Sequence, residues 1–130
     1  MKLRTVLAIL LVVVVLASIF ALAGCNLFKS VTADQSEANL KKAGYDVTVM
    51  TGAQYVASDD ADPFIFESEL NKYIYAKKGD EVIYLFFFTT VNNASSNYDR
   101  MSIDYNSLRS GQSNELVYFG TKQAIADCGL

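Results

Sequence analysis

The pattern of this 130-residue chain predicts an α+β fold. About four antiparallel strands and two to three helices are expected in two layers, preceded by an apolar N-terminal helix. Three observations carry that expectation. Two β-prone runs flank Gly79-Asp80, a pair suited to a two-residue hairpin turn. Further on, Ala94, Tyr98, Met101, Tyr105 and Leu108 recur at steps of four and three, which places them on one helical stripe. At the start, residues 5–24 carry no charge after the cations Lys2 and Arg4.

Taken in order, the first element is the apolar run itself. A basic start, an apolar stretch centred on residues 10–16 and small residues at its end have the form of a secretory signal. The run closes on Leu22-Ala23-Gly24-Cys25. These four residues resemble the lipobox of a bacterial lipoprotein. The resemblance covers residues 1–25. It implies cleavage between Gly24 and Cys25, a diacylglyceryl thioether on the Cys25 sulfur, and a lipid-anchored protein on the extracytoplasmic side of the cell membrane. Two acyl chains suffice for stable anchoring, where one is marginal. The competing reading is an uncleaved membrane anchor, because a span needs about 20 apolar residues and this run is long enough. Both readings place residues 26–130 outside the cytoplasm, since the positive end stays inside.

Residues 25–31 then form a lipidated cysteine and a short tether, and residues 32–130 one small α+β domain. Thr32 and Gln35 form the pattern of a capping box, so a helix is expected over 33–43, stopping at Gly44. A strand follows over 45–51, with Val47 and Val49 on one side and Thr48 and Met50 on the other. Residues 52–63 carry no clear period, and the acidic stretch before Pro63 reads as loop.

The hairpin comprises runs 70–78 and 81–90. Its turn sets Lys77 opposite Val82, Tyr75 opposite Tyr84, and Tyr73 opposite Phe86, all on one face. Ile74, Ala76, Ile83, Leu85 and Phe87 occupy the other. The second strand is apolar on both faces, so it belongs in the centre of the sheet with cover on both sides. Asn92 or Asn93 is expected to cap the striped helix, and Gly111 to end the helical region. A fourth strand is expected over 114–120, and a last short helix after Thr121 holds Ile125 and Cys128.

As a whole, the part after Cys25 resembles small envelope lipoproteins of Gram-positive bacteria. The residues that carry the likeness are the lipobox, the capped helix running into Gly44-Tyr45, and the hairpin before Phe119-Gly120-Thr121-Lys122. The resemblance implies architecture and location and brings no catalytic residues.

Composition narrows the chemistry. The chain has no histidine, which removes the usual general base and most zinc sites. No glycine-rich phosphate loop appears. All 14 acids but only 9 of the 11 bases follow Cys25, so that part has a net charge of −5. This disfavours nucleic acid and polybasic lipid binding. No cofactor or metal is expected. Asp59, Asp60 and Asp62 offer hard oxygen ligands but lack the glycine and distal glutamate of an EF-hand loop, so a solvated loop is the better reading. Glu67 and Glu69 read as surface carboxylates. With Cys25 lipidated, Cys128 has no disulfide partner and reads as a small buried side chain.

One set stands out. Tyr73, Tyr75, Tyr84 and Phe86 share a sheet face and combine large contact area with polar tips, as binding surfaces do. The alternative places them in the core beneath residues 52–66. The expected function is therefore a non-enzymatic binding or interaction domain, with a membrane-proximal protein or envelope component as partner. A structural ectodomain on an uncleaved anchor, and a carboxylate-based enzyme or metal module built on two or more of Asp59, Asp60, Asp62, Glu67 and Glu69, are the alternatives.

Overall fold

The computed structural model describes residues 31–130. The expected leader helix, the cleavage point at Gly24 and Cys25, and the tether through residue 30 lie outside the described residues.

The first helix, α1 (Ala33–Lys42), starts as its sequence dictates. The Gln35 N–H donates to Thr32 Oγ1 at 3.2 Å, and the Thr32 N–H donates to Gln35 Oε1 at 3.1 Å. A cap of this kind contributes about 1 kcal/mol. Gly44, at φ +92°, turns the chain into strand β1 (Asp46–Thr51). Thr51 then repeats the device: its Oγ1 accepts from the Gln54 N–H, and Gln54 Oε1 accepts from the Thr51 N–H. The short helix α2 (Gly52–Val56) results, in a stretch where the sequence pattern gives no period.

A 3₁₀ turn (Glu67–Glu69) leads into strand β2 (Leu70–Lys78), which pairs antiparallel with β3 (Glu81–Phe88). Lys77 lies opposite Val82, Tyr75 opposite Tyr84 and Tyr73 opposite Phe86, as the two-residue turn requires. The register shifts between Leu70 and Lys72. This bulge lets Leu70 join Tyr73 on one face although their spacing alone would separate them. Helix α3 (Val91–Asp104) follows, then strands β4 (Arg109–Ser113) and β5 (Leu116–Gly120), and finally α4 (Lys122–Cys128).

The sheet is antiparallel throughout, in the order β1-β2-β3-β5-β4. Strand β3 is central, and its two faces feed two separate apolar clusters. On one face Ile74, Ala76, Ile83, Leu85 and Leu116 pack against Leu40 of α1 and Ala124 and Cys128 of α4. On the other, Tyr73, Phe86, Phe88, Val117 and Phe119 pack against Tyr55 of α2, Ile65, and Ala94 and Met101 of α3. The α3 stripe expected from spacing is the one that faces this core, with Tyr98, Tyr105 and Leu108 packed at its margin.

Four expectations need correction. Helices cover both sheet faces, so the layers number three, not two. Strand β3 presents fully buried side chains on each side, and one helical layer cannot cover both. Among the described residues the strands number five, where about four were expected. The extra one, β4, contains the glycine expected to end a helical region; α3 stops earlier, with Tyr105 as its C-cap. Gly111 lies opposite Tyr118, whose ring occupies the space a Cβ would need. The cap of α3 is Thr90 rather than Asn92 or Asn93. Its hydroxyl accepts from the Asn93 N–H at 3.1 Å, because Asn93 already sits at the third helical position.

The ends of the described chain meet. Asn39 Nδ2 of α1 donates to the Cys128 carbonyl at 2.9 Å, and the Tyr45 hydroxyl donates to Asp127 Oδ2 at 2.8 Å.

The packing of Tyr118 over Gly111 gives a direct test. Gly111→Ala displaces the outer part of the partly exposed Tyr118 ring and should destabilise the protein by about 0.5–1.5 kcal/mol, the cost of a shifted rotamer. Pairing it with Tyr118→Ala should recover part of that loss relative to the sum of the single variants, as chemical denaturation would measure. Strict additivity would show that the ring does not oppose a side chain at position 111.

Candidate functional site

On the α3 face of the sheet, aromatic rings form a connected series. Tyr75 and Tyr84 face each other across β2 and β3 with centroids 5.1 Å apart, and Tyr84 continues to Tyr105 at 5.0 Å. Tyr105 stacks on Phe119 at 4.5 Å with planes 18° apart. Deeper in, Tyr73 contacts Phe86 at 5.1 Å and Tyr55 at 4.6 Å. Contacts of this kind add to area burial and fix ring orientation.

The four residues singled out from the sequence divide here. Phe86 is fully buried and Tyr73 is 6% exposed, and both belong to the core beneath Tyr55 and Ile65. Tyr75 and Tyr84 are only half-buried. With the edge of Tyr73, they line an open cleft of about 340 Å³ whose other walls are Tyr105 and Asp60. That volume lies at the small end of ligand sites.

Asp60 reaches the cleft because its loop is pinned on both sides. The Asp62 N–H donates to the Tyr55 hydroxyl at 2.9 Å, and the Ser58 hydroxyl donates to the Tyr55 carbonyl at 2.6 Å. From α3, Arg100 Nη1 bonds Asp62 Oδ2 at 2.6 Å, while Nη2 donates to Asn97 Oδ1 at 3.0 Å. The guanidinium also lies over the Phe64 ring, 5.0 Å from its centroid. Asp62 Oδ1 accepts from the Phe64 N–H, so both oxygens of this carboxylate are engaged.

Burial raises the pKa of Tyr73, Tyr84 and Tyr105 above the ordinary 10.0, and Asp60 raises those of Tyr73 and Tyr84 further. Among the described residues their hydroxyls have no hydrogen-bond partner, in contrast to those of Tyr45, Tyr55 and Tyr98. The cleft is thus lined by four tyrosine side chains and one carboxylate, that of Asp60.

The other candidates are dispersed. Of Asp59, Asp60, Asp62, Glu67 and Glu69, only Asp60 lines the cleft. Asp62 is held by Arg100, and Glu69 accepts from the Phe66 N–H. Among the described residues no three acidic or cysteine side chains gather as a metal site would require. Cys128 is fully buried, and burial pushes its thiol pKa up, with Ser36 beside it acting the other way. Among the described residues no helix is long and apolar enough to cross a membrane.

Sequence reasoning placed Tyr105 only on the core stripe and treated Asp60 as solvated loop. A stripe that runs to the C-terminal end of its helix was the signal for Tyr105. Nothing local marked Asp60, because its position depends on Arg100. No protein-family model, curated protein or solved structure matches this chain.

Burial gives the phenols a pH signature. Tyr45, Tyr55, Tyr73, Tyr84 and Tyr105 all have pKa values raised by folding, chiefly by desolvation. A raised pKa contributes stability that is complete below the unfolded value of 10.0 and is lost as pH climbs above it. Tyrosinate absorbance should therefore lag the normal titration for these five, then appear together with alkaline unfolding. Full ionisation of all eight tyrosines near pH 10.0 in a still-folded chain would contradict the packing.

Proposed function

We propose that this chain is a lipid-anchored envelope protein, held through Cys25 at the outer face of the cytoplasmic membrane. Its folded part is a non-enzymatic binding domain. The observation that carries the reading is the N-terminal sequence: Lys2 and Arg4, an uncharged apolar run, then Leu22-Ala23-Gly24-Cys25. In that arrangement the partner is a protein or envelope component near the membrane, and the tyrosine cleft is the binding site.

Geometry supports the orientation. Helix α1 ends beside the hairpin, where Lys78 Nζ donates to the Ala43 carbonyl at 2.7 Å. Its N-terminus therefore lies at the opposite end of the sheet, where Asp34 comes within 3.7 Å of Lys72. Phe66, which precedes β2, and Val91, which follows β3, are exposed apolar side chains at this same end. Apolar groups around the tether suit contact with the headgroup region. The net charge of −5 after Cys25 argues against broad electrostatic adhesion to anionic lipid.

The second reading, a single-span anchor without cleavage, draws on the length of the apolar run. Intact mass of protein extracted from native membranes separates the two. The expected species begins at Cys25 and carries the mass of its acyl chains. A full-length, unmodified chain would replace the lipoprotein by the single-span anchor. Cross-linking in intact cells should then capture a membrane-proximal partner with wild type and lose it when the cleft is altered; capture unaffected by cleft substitutions would move the binding site elsewhere.

A further inference from the structure

We propose that the tyrosine cleft binds an organic ammonium group. The inference rests on reading the cleft as the binding site, and it is independent of how the chain is anchored.

Four rings and one carboxylate converge on the space: Tyr73, Tyr75, Tyr84, Tyr105 and Asp60. The face of an aromatic ring carries the negative side of its quadrupole and a phenol oxygen carries lone pairs, so tyrosines gathered around one volume attract a cation. Asp60 adds a full negative charge at the rim. Among the described residues no basic side chain lines the cleft. Arg100, which holds the supporting loop from α3, is bonded to Asp62 and lies over the Phe64 ring. Lys77 is on the same sheet face, beyond Tyr75 toward the hairpin turn, where its side chain is exposed. The local field at the cleft is therefore negative, which an anionic ligand would oppose.

Shape points the same way. A volume of about 340 Å³ admits a small head such as a methylated or primary ammonium with a few carbons. The phenol hydroxyls remain available to accept from N–H groups or to bond a neighbouring hydroxyl. The rings are also rigid: Tyr105 is stacked on Phe119 and Tyr84 lies between Tyr75 and Tyr105, so little conformational freedom is lost on binding.

The ammonium has two sources, a soluble amine or a lipid headgroup. Position favours the first. Tyr75 lies five residues along β2 from Leu70, about 17 Å from the tether end at about 3.3 Å per residue.

The test is calorimetric titration of the full chain, in nonionic detergent, with tetramethylammonium and choline. Neohexanol, the uncharged isostere of choline, and glucose serve as comparison ligands. Millimolar binding of both cations is expected, with neohexanol and glucose weaker by about tenfold or more. Asp60→Asn, an exposed and near-isosteric change, should weaken choline by about fivefold to tenfold without altering the melting temperature. Tyr84→Phe, which keeps the ring, should preserve binding, and Tyr84→Leu should lower it about tenfold. Co-sedimentation with phosphatidylcholine vesicles, lost on Asp60→Asn, would assign the lipid headgroup as source; choline binding without it assigns a soluble amine. Either outcome upholds the ammonium chemistry. Equal binding of neohexanol and choline, preferential binding of glucose, no binding of either cation, or an unchanged affinity in Asp60→Asn would overturn it.

Discussion

Burial on both faces of β3 is the constraint from which the architecture follows. Ile83 and Leu85 are inaccessible on one side, and Phe86 and Phe88 almost so on the other. A strand of this kind cannot lie at an edge or beneath a single layer, since each large side chain left in water forgoes about 1.5–3 kcal/mol. It requires β2 and β5 as neighbours and helices above and below. Helices α1 and α4 are short and contribute small side chains, and α2 and α3 contribute aromatic ones. The result is a mainly aliphatic cluster on one side, around Leu40, Ile74, Ile83 and Leu85, and a largely aromatic one on the other.

The cleft arises from that asymmetry. Rings stack at their faces and edges but do not fill a curved surface as branched aliphatics do, so the aromatic side leaves space where the cover from α2 ends. The loop after α2 closes part of it and is tied to α3 through Asp62 and Arg100. This ion pair is partly sheltered, with side chains 14% and 30% exposed, and its geometry is supported by Asn97. Its effect is positional: it holds the loop that carries Asp60. An aromatic core and a binding surface are thus the same structure seen at different depths, with Tyr73 and Phe86 inside and Tyr75 and Tyr84 at the opening.

Local signals in the sequence were readable wherever one interaction fixed the geometry. A two-residue turn permits one register, so the pairing of Tyr75 with Tyr84 followed from Gly79-Asp80. The Thr32 capping box set the start of α1. The identical signature at Thr51 and Gln54 lay unused, because a five-residue helix has no room to show a period. Strand β4 carries Arg109, Ser110, Gly111, Gln112 and Ser113, none of which favours a strand; pairing with β5 makes it one. The bulge beside Leu70 has no local mark either. The cleft was half legible. Its two sheet tyrosines share a face by alternation, but Asp60 depends on a contact 38 residues away.

The meeting of α1 and α4 bears on when this protein acquires its structure. Asn39 and the Cys128 carbonyl are 89 residues apart in sequence, and Leu40 packs in the same cluster as Cys128. At about 5–20 residues per second of synthesis, roughly 4–18 s separate the appearance of the two partners. Until α4 emerges, the face of β3 in that cluster has only the cover of α1, and the aliphatic layer is incomplete. Closure of the aliphatic layer therefore waits for α4. Loss of the last turn of α4 would remove Cys128 from that layer and leave Asn39 without its carbonyl partner.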